Sequence, residues 1–299
     1  MNSDAIAPRA AIKTVGVMGC GQMGSGYVQV CAQSGYLVTC CEVNDELLQK
    51  GLASINARLI AAVTSGQISE EVKLQVLGRI SGSTDLAALS GCDLVIEAVT
   101  EDLEIKKKIF ATLDRVCPKD VVLATNTSVL SVLDLAMVTE RPEKVLGIHM
   151  NPLMFPVAEI VKTIATREDA IQIASDFSRS LGKGVVVAKD IPGFIANRLI
   201  SPLLLEAIRM VESDEASRDD IDTIFAKGMG WFMGPLAMAD GIGLDTLLKG
   251  SEAIYDYTKD SRFAPPTLLK KMVTAGWLGM KTGKGFYEYG GLKSASEEV

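Results

Sequence analysis

An apolar run, Thr14–Met18, passes straight into Gly19-Cys20-Gly21-Gln22-Met23-Gly24, and helical spacing begins immediately beyond it. A strand that ends in a GxGxxG turn and restarts as a helix opens a βαβ unit, so the next strand must return parallel to the first. The glycines have separate tasks. Gly19 permits the tight turn, Gly21 lets a pyrophosphate approach the backbone, and Gly24 allows close helix–strand packing. Gln22 and Met23 then form the first helical turn, whose N-terminus faces the phosphates. Glu42, 18 residues beyond Gly24, ends the second apolar run. A carboxylate there accepts bonds from the adenosine ribose hydroxyls. It also repels a 2′-phosphate, and Cys40–Asp45 contains no Lys or Arg to welcome one, so NAD is expected over NADP. The competing reading, a glycine-rich turn with an incidental glutamate, does not account for the strand before the turn and the helix after it.

From Ile12 to about Ala188, short β-rich runs alternate with helical stretches, the pattern of a parallel sheet covered on both faces. Candidate strands are Thr14–Met18, Leu37–Cys41, Leu94–Ala98, Val121–Ala124, Val145–Ile148, Val157–Val161 and Val185–Ala188. Helices over Asp45–Thr64 and Glu70–Gly78 make the connection after the second strand too long for a minimal crossover. This helical insertion, near residues 45–80, offers a substrate surface. After Lys189-Asp190-Ile191-Pro192-Gly193 the texture becomes helical, with helices expected over Phe194–Val211, Arg218–Lys227, Pro235–Lys249 and Pro266–Ala275. The expected division is therefore an α/β domain over 1–188 and an all-helical domain over 189–299. Gly290–Val299 reads as a polar, frayed tail.

The formal net charge of −7 with dispersed basic residues argues against a nucleic-acid partner. Six cysteines form no CxxC pair or Cys/His cluster, so neither a metal site nor a disulfide framework is expected. No apolar run reaches the roughly 20 residues that cross a bilayer, and Met1–Ala11 lacks the continuous apolar stretch of a secretory signal. A cytoplasmic protein with reduced thiols and no membrane partner is the expectation.

His149 is the only histidine, and it follows the strand Val145–Ile148 at its carboxyl end, where open α/β sheets place ligands. Imidazole titrates at about 6.5 when unperturbed, which suits it to take an alcohol proton as hydride leaves. Taken alone, a single histidine at a strand end reads more readily as structural than as catalytic. Its neighbours add weight to the chemical one. Glu159, in the next strand-like run, is a candidate to orient the imidazole. Asn126-Thr127-Ser128 follows another strand at the same sheet edge, and Asn197 opens the helical domain. Taken singly, Ser128 also reads as a helix N-cap, Glu159 as a solvated strand-edge charge and Asn197 as a polar residue on a half-buried helix.

Together these residues resemble the 3-hydroxyacyl-CoA dehydrogenases, including bacterial 3-hydroxybutyryl-CoA enzymes. The resemblance runs from about Ile12 to Tyr289 through six ordered blocks: GCGQMG at 19–24, EAVTEDLEIKK at 97–107, NTS at 126–128, KDIPGFIANR at 189–198, MGPLAMAD at 233–240 and GMKTGKGFYEY at 279–289. It implies a Rossmann-like, doubly wound and mainly parallel sheet with a C-terminal helical domain that forms a homodimer interface. It implies NAD-dependent oxidation of a (3S)-3-hydroxyacyl-CoA in fatty-acid β-oxidation. By resemblance, Ser128 bonds the substrate oxygen, His149 is the base, Glu159 orients it and Asn197 completes the site. Glu101 and Lys106 match positions contacting the cofactor, while Asn126 and Asn151 match positions near nicotinamide and substrate.

Two departures stand out. The related stretch reads HFFNP and reaches its glutamate twelve residues after the histidine, whereas this chain reads His149-Met150-Asn151-Pro152 and reaches Glu159 after ten. The segment is two residues short, and Met150, Leu153, Met154 and Phe155 become candidates for the wall beside the reacting carbon. In the insertion, the Ser and Lys that relatives present to CoA align with Arg58 and Ser65, leaving Arg58 as the candidate phosphate contact. The rival substrates are a hydroxyacyl group on an acyl carrier protein and a free hydroxy acid of the gulonate or carnitine type. A non-catalytic, crystallin-like role is the remaining alternative. Met154, Phe155 and Trp231–Met233 are candidate limits on pocket depth, against ordinary core packing as the simpler reading.

Overall fold

Short runs that are apolar at nearly every position suit strands covered on both faces, and they build the first half of the chain. The computed structural model describes residues 12–290, so Met1–Ala11 and all of the expected polar tail except Gly290 lie outside the described residues. The strands are Thr14–Met18 (β1), Leu37–Cys41 (β2), Ile80–Ser83 (β3), Leu94–Glu97 (β4), Val122–Thr125 (β5), Val145–His149 (β6), Val157–Lys162 (β7) and Gly184–Lys189 (β8). Among the described residues they form one sheet in the order β3-β2-β1-β4-β5-β6-β7-β8. Every pairing is parallel except β6 with β7. The fold is thus the Rossmann-like, mainly parallel α/β class expected, and the order reverses at β1/β4, where such sheets open a crevice for ligands.

The helices of this half are Gln22–Gln33 (α1), Asp45–Thr64 (α2), Glu70–Leu77 (α3), Leu103–Val116 (α4), Val132–Ala136 (α5) and Glu168–Ser180 (α6). One core joins Val15, Val17, Leu94, Ile96, Leu146 and Ile148 of the sheet to Tyr27, Val28, Ile55 and Phe177 of the helices. β3 falls within and just past the stretch read as wholly helical. Ile80-Ser81-Gly82-Ser83 carries one large apolar residue, because this strand sits at the sheet edge, pairing only with β2. An edge strand half in solvent leaves no apolar run to read.

The chain divides into two compact units at Asp190/Ile191. The second contains Ala196–Glu212 (α7), Arg218–Thr223 (α8), Pro235–Ile242 (α9), Leu244–Thr258 (α10) and Thr267–Thr274 (α11), around Leu204, Leu205, Ile208, Leu236, Leu244 and Leu269. The single helix expected over Pro235–Lys249 is in fact two, broken at Gly243, whose φ of +96° lies outside the helical region. The one expected over Arg218–Lys227 is α-helical only as far as Thr223 and then loosens into a π turn over Ile224–Gly228.

All six cysteines are buried and carry no disulfide. Burial pushes the Cys41 and Cys92 thiols up to about 11, so both stay protonated at neutral pH. Among the described residues, no helix is long and apolar enough to cross a membrane.

Candidate active site

At the carboxyl edge of β1, the glycine turn has the geometry its spacing predicts. Gly19 has φ +94°, and a Cβ there would lie 2.8 Å from the Ala98 carbonyl oxygen. A Cβ on Gly24 would lie 1.9 Å from the Gly19 carbonyl oxygen, so only glycine allows α1 this close to the turn. Above Gly21 the space is open to 4 Å. The first backbone bond of α1 runs from Ser25 N to Gly21 O, which leaves the N–H groups of Gln22 and Met23 ahead of the helical ladder. Asn44, Ser69 and Asp102 cap α2, α3 and α4 with their side chains, whereas α1 has no side-chain cap and no acidic residue in its first turn. An open approach to an uncapped, partly positive helix end fits a dinucleotide pyrophosphate.

Glu42 faces the same turn. Its Oε1 accepts from Cys20 N at 2.6 Å and its Oε2 from Val43 N at 3.0 Å, so the carboxylate is held beside the glycines. Glu42→Ala is expected to raise KM for NADH about 10- to 100-fold, the scale of one charge-assisted hydrogen bond. It should also narrow the preference for NADH over NADPH. Steady-state kinetics with both cofactors checks this, and an unchanged preference would count against Glu42 as the selector.

His149 is the last residue of β6. In the antiparallel register with β7 it lies directly opposite Glu159, and Nδ1 is 2.6 Å from Glu159 Oε2. Both side chains are largely buried. The shortened segment therefore does not separate them. Cross-strand partners share a face, and removing two residues from the connection preserves the two-residue period of the strands; removing one would turn Glu159 to the other face. A carboxylate that accepts from Nδ1–H selects the neutral tautomer whose acceptor lone pair is on Nε2.

The shortened segment is tied down. Asn151 Oδ1 accepts from Leu153 N and Met154 N at 3.2 Å each, so the side chain expected beside the nicotinamide forms a turn. Lys183 Nζ donates to the carbonyls of Pro152 and Phe155 at 2.7 and 2.8 Å. Of the four candidate wall residues, Met150 is buried in the core, while Leu153, Met154 and Phe155 are exposed in this unit.

The Asn126–Ser128 loop follows β5, next to β6 in the sheet. In the orientation that satisfies its hydrogen bonds, the Asn126 amide nitrogen donates to the carbonyls of Ile148 and Met150, at 3.0 and 3.1 Å, and so straps the loop to both sides of His149. Glu101 Oε1 accepts from Thr127 Oγ1 at 2.5 Å, Ser128 N at 2.9 Å and Val129 N at 3.3 Å. Lys106 is buried beneath, 2.6 Å from Glu97 and 3.4 Å from Glu101. Arg58 donates from Nε to Gln29, from Nη1 to Ser54 and from Nη2 to Ser25, holding α2 against α1.

Asn197 belongs to the second unit, half-buried in the first turn of α7. Gly193 at φ +82° and Phe194 at φ +46° bend the chain into that helix. In the same unit Trp231 packs edge-on against Phe225, with centroids 5.4 Å apart, and Phe232 is exposed.

Two carboxylates near the loop were missed in the sequence. Asp190 accepts from Val132 N and Leu133 N at 2.9 and 2.8 Å, capping α5 just beyond Ser128. Glu97 is fully buried. Its signal was present, since a charge ending the apolar run Leu94-Val95-Ile96 requires a partner in the interior.

Residues 14–191 match the family described as 3-hydroxyacyl-CoA dehydrogenase, NAD binding domain, and residues 193–289 match its C-terminal domain. A 3-hydroxybutyryl-CoA dehydrogenase of Mycobacterium tuberculosis is 44% identical over 283 residues, spanning 93% of this chain and 99% of that protein. The crystal structure of M. tuberculosis FadB2 superposes with a TM-score of 0.92 at 44% identity, covering 94% of this chain and 100% of that one. The (S)-3-hydroxybutyryl-CoA dehydrogenase PaaH1 from Ralstonia eutropha gives 0.88 at 37% identity, with coverage of 94% and 100%. With both halves matched and near-complete coverage in each direction, the chain belongs to the 3-hydroxyacyl-CoA dehydrogenase family of NAD-dependent oxidoreductases.

Proposed function

We propose that the chain interconverts a (3S)-3-hydroxyacyl-CoA and the 3-oxoacyl-CoA, with His149 as the general base and Glu159 as its orienting partner. The observation that carries this reading is the 2.6 Å contact between His149 Nδ1 and Glu159 Oε2 at the carboxyl edge of the sheet. In oxidation, His149 Nε2 takes the C3 hydroxyl proton. Bound NAD⁺ supplies the acceptor for the hydride leaving C3. Glu159 stabilises the imidazolium that results, and in reduction that imidazolium returns the proton to the C3 oxygen. Ser128 and Asn197 hold the oxygen in this reading, and Arg58 remains the candidate contact to the nucleotide end of CoA.

The near-full-length relatives named 3-hydroxybutyryl-CoA dehydrogenase support a short acyl chain. We further assign a homodimer formed through the helical unit, which exposes Leu199, Met229, Phe232 and Tyr257. The buried thiols suit a reducing, cytoplasmic setting.

The test follows NADH oxidation with acetoacetyl-CoA, an acetoacetyl carrier protein and free acetoacetate side by side. Acetoacetyl-CoA is expected to be turned over with the highest kcat/KM. Failure of the CoA thioester alongside turnover of either other substrate would overturn the assignment.

A further inference from the structure

Behind the Asn126–Ser128 loop lies a charged cluster whose centre, Glu97 and Lys106, is shut off from solvent. Glu97 ends β4 and is 0% exposed, and Lys106, in the first turns of α4, is 1% exposed. An ammonium has three N–H donors, and two of them are hydrogen-bonded here, to Glu97 and Val99, while Glu101 adds an ion pair. Lys106 Nζ lies 2.6 Å from Glu97 Oε1, 3.3 Å from the Val99 carbonyl and 3.4 Å from Glu101 Oε2. Glu97 is equally committed, since Oε1 also accepts from Val99 N at 2.7 Å and Oε2 accepts from Thr125 Oγ1 at 2.7 Å.

Two routes run from this pair to the loop. In the first, Thr125 Oγ1 donates to Glu97 and accepts from Thr127 N at 3.1 Å. In the second, Lys106 holds Glu101, whose Oε1 accepts from Thr127 Oγ1 and from Ser128 N. A buried ion pair adds little net stability over an apolar pair of similar volume, because desolvation offsets most of the attraction. Its distinctive effect is a fixed geometry, and the groups whose geometry it fixes are the backbone and side chains flanking Ser128.

We infer that Glu97 is a positioning residue for the reaction, acting through Thr125 on one side and through Lys106 and Glu101 on the other to set where Ser128 stands. The inference rests on Ser128 holding the substrate oxygen. It also gives Lys106 a positioning role, since the amine links Glu97 to Glu101.

The test is a double-mutant cycle on acetoacetyl-CoA reduction by the full-length enzyme, using Glu97→Gln, Ser128→Ala and the pair. Glu97→Gln is expected to lower kcat about 10- to 100-fold, a scale set by displacement of positioning groups, with the protein folded by circular dichroism and Kd for NADH changed less than about threefold. In the Ser128→Ala background the same substitution should change kcat less than about threefold, because neighbouring members of one network are not additive. An equal loss in both backgrounds overturns the inference, since Glu97 would then act elsewhere. So does unchanged kcat in Glu97→Gln. Unchanged kcat in Ser128→Ala instead overturns the reading of Ser128 itself. Should Glu97→Gln fail to fold, Thr125→Val severs the first route without altering charge and runs the same cycle with the same criteria.

Discussion

Replacing His149 by glutamine is expected to lower kcat for acetoacetyl-CoA reduction about 10²- to 10⁴-fold, the usual contribution of a positioned general acid–base. Glutamine keeps a polar side chain at the end of β6 but neither takes nor returns a proton near neutral pH. NADH affinity should change little, because the cofactor turn and Glu42 directly follow β1 and β2, away from β6 in the sheet. Glu159→Gln should also lower kcat, by less, through lost orientation and lost stabilisation of the imidazolium. Steady-state kinetics and a fluorescence titration with NADH measure the two effects separately. Near-normal turnover in His149→Gln would remove the residue from the mechanism, and a large loss of NADH binding would show that the substitution disturbs more than proton transfer.

The second large effect concerns stability. Arg141 is buried, and its guanidinium donates to Asp114 Oδ1 at 2.7 Å and to the carbonyls of Asp114 and Cys117 at 2.6 and 2.7 Å, with a further bond to Pro118 O. It thereby satisfies the carbonyl end of α4, which a buried helix terminus requires. Arg141→Met leaves the Asp114 carboxylate and those carbonyls in the interior without their main partner, which should destabilise the fold by about 3–5 kcal/mol. The pH dependence gives the cause. Burial pushes the Asp114 carboxyl up, but the Glu140 amide, Arg141 and Lys119 outweigh it and hold it below the ordinary range. A carboxyl lowered on folding contributes stability that is present above its unfolded value of about 3.9 and lost as pH falls through the folded value. In the variant, burial acts with less opposition and Asp114 takes up a proton at higher pH. The difference in Tm between the two proteins should therefore be largest near pH 7 and shrink towards pH 4. A difference that stays constant over that range would assign the loss to packing.

The strands that could be read directly were those whose burial on both faces leaves a continuous apolar run. β1 and β2 lie within the sheet beside a turn in which Gly19 and Gly24 leave no room for a side chain, and they were delimited to the residue. β3 was not, because a solvent-facing edge strand needs no such run. The break at Gly243 was equally hidden: Pro235–Lys249 keeps helical spacing throughout, and only a glycine at positive φ divides it. Spacing records which residues face the core and is silent about a local change of backbone direction.

The site shows the same division. Sequence alone determined that this is an α/β dinucleotide-binding chain with one histidine at a strand end, because glycine spacing, a carboxylate at the second strand and a unique imidazole are local properties of residue type. Whether Glu159 reaches His149 was decided by the β6–β7 register, since ten residues of separation set a distance only once the strands have paired. The fate of Lys106 and Glu101 was likewise decided by folding. By resemblance both match positions that contact the cofactor; the structure adds that Lys106 is buried against Glu97 and that Glu101 holds the Ser128 loop. Hydrogen bonds between side chains from β4, α4 and β5 depend on three elements meeting, and that meeting is a property of the packed sheet, which no local spacing encodes.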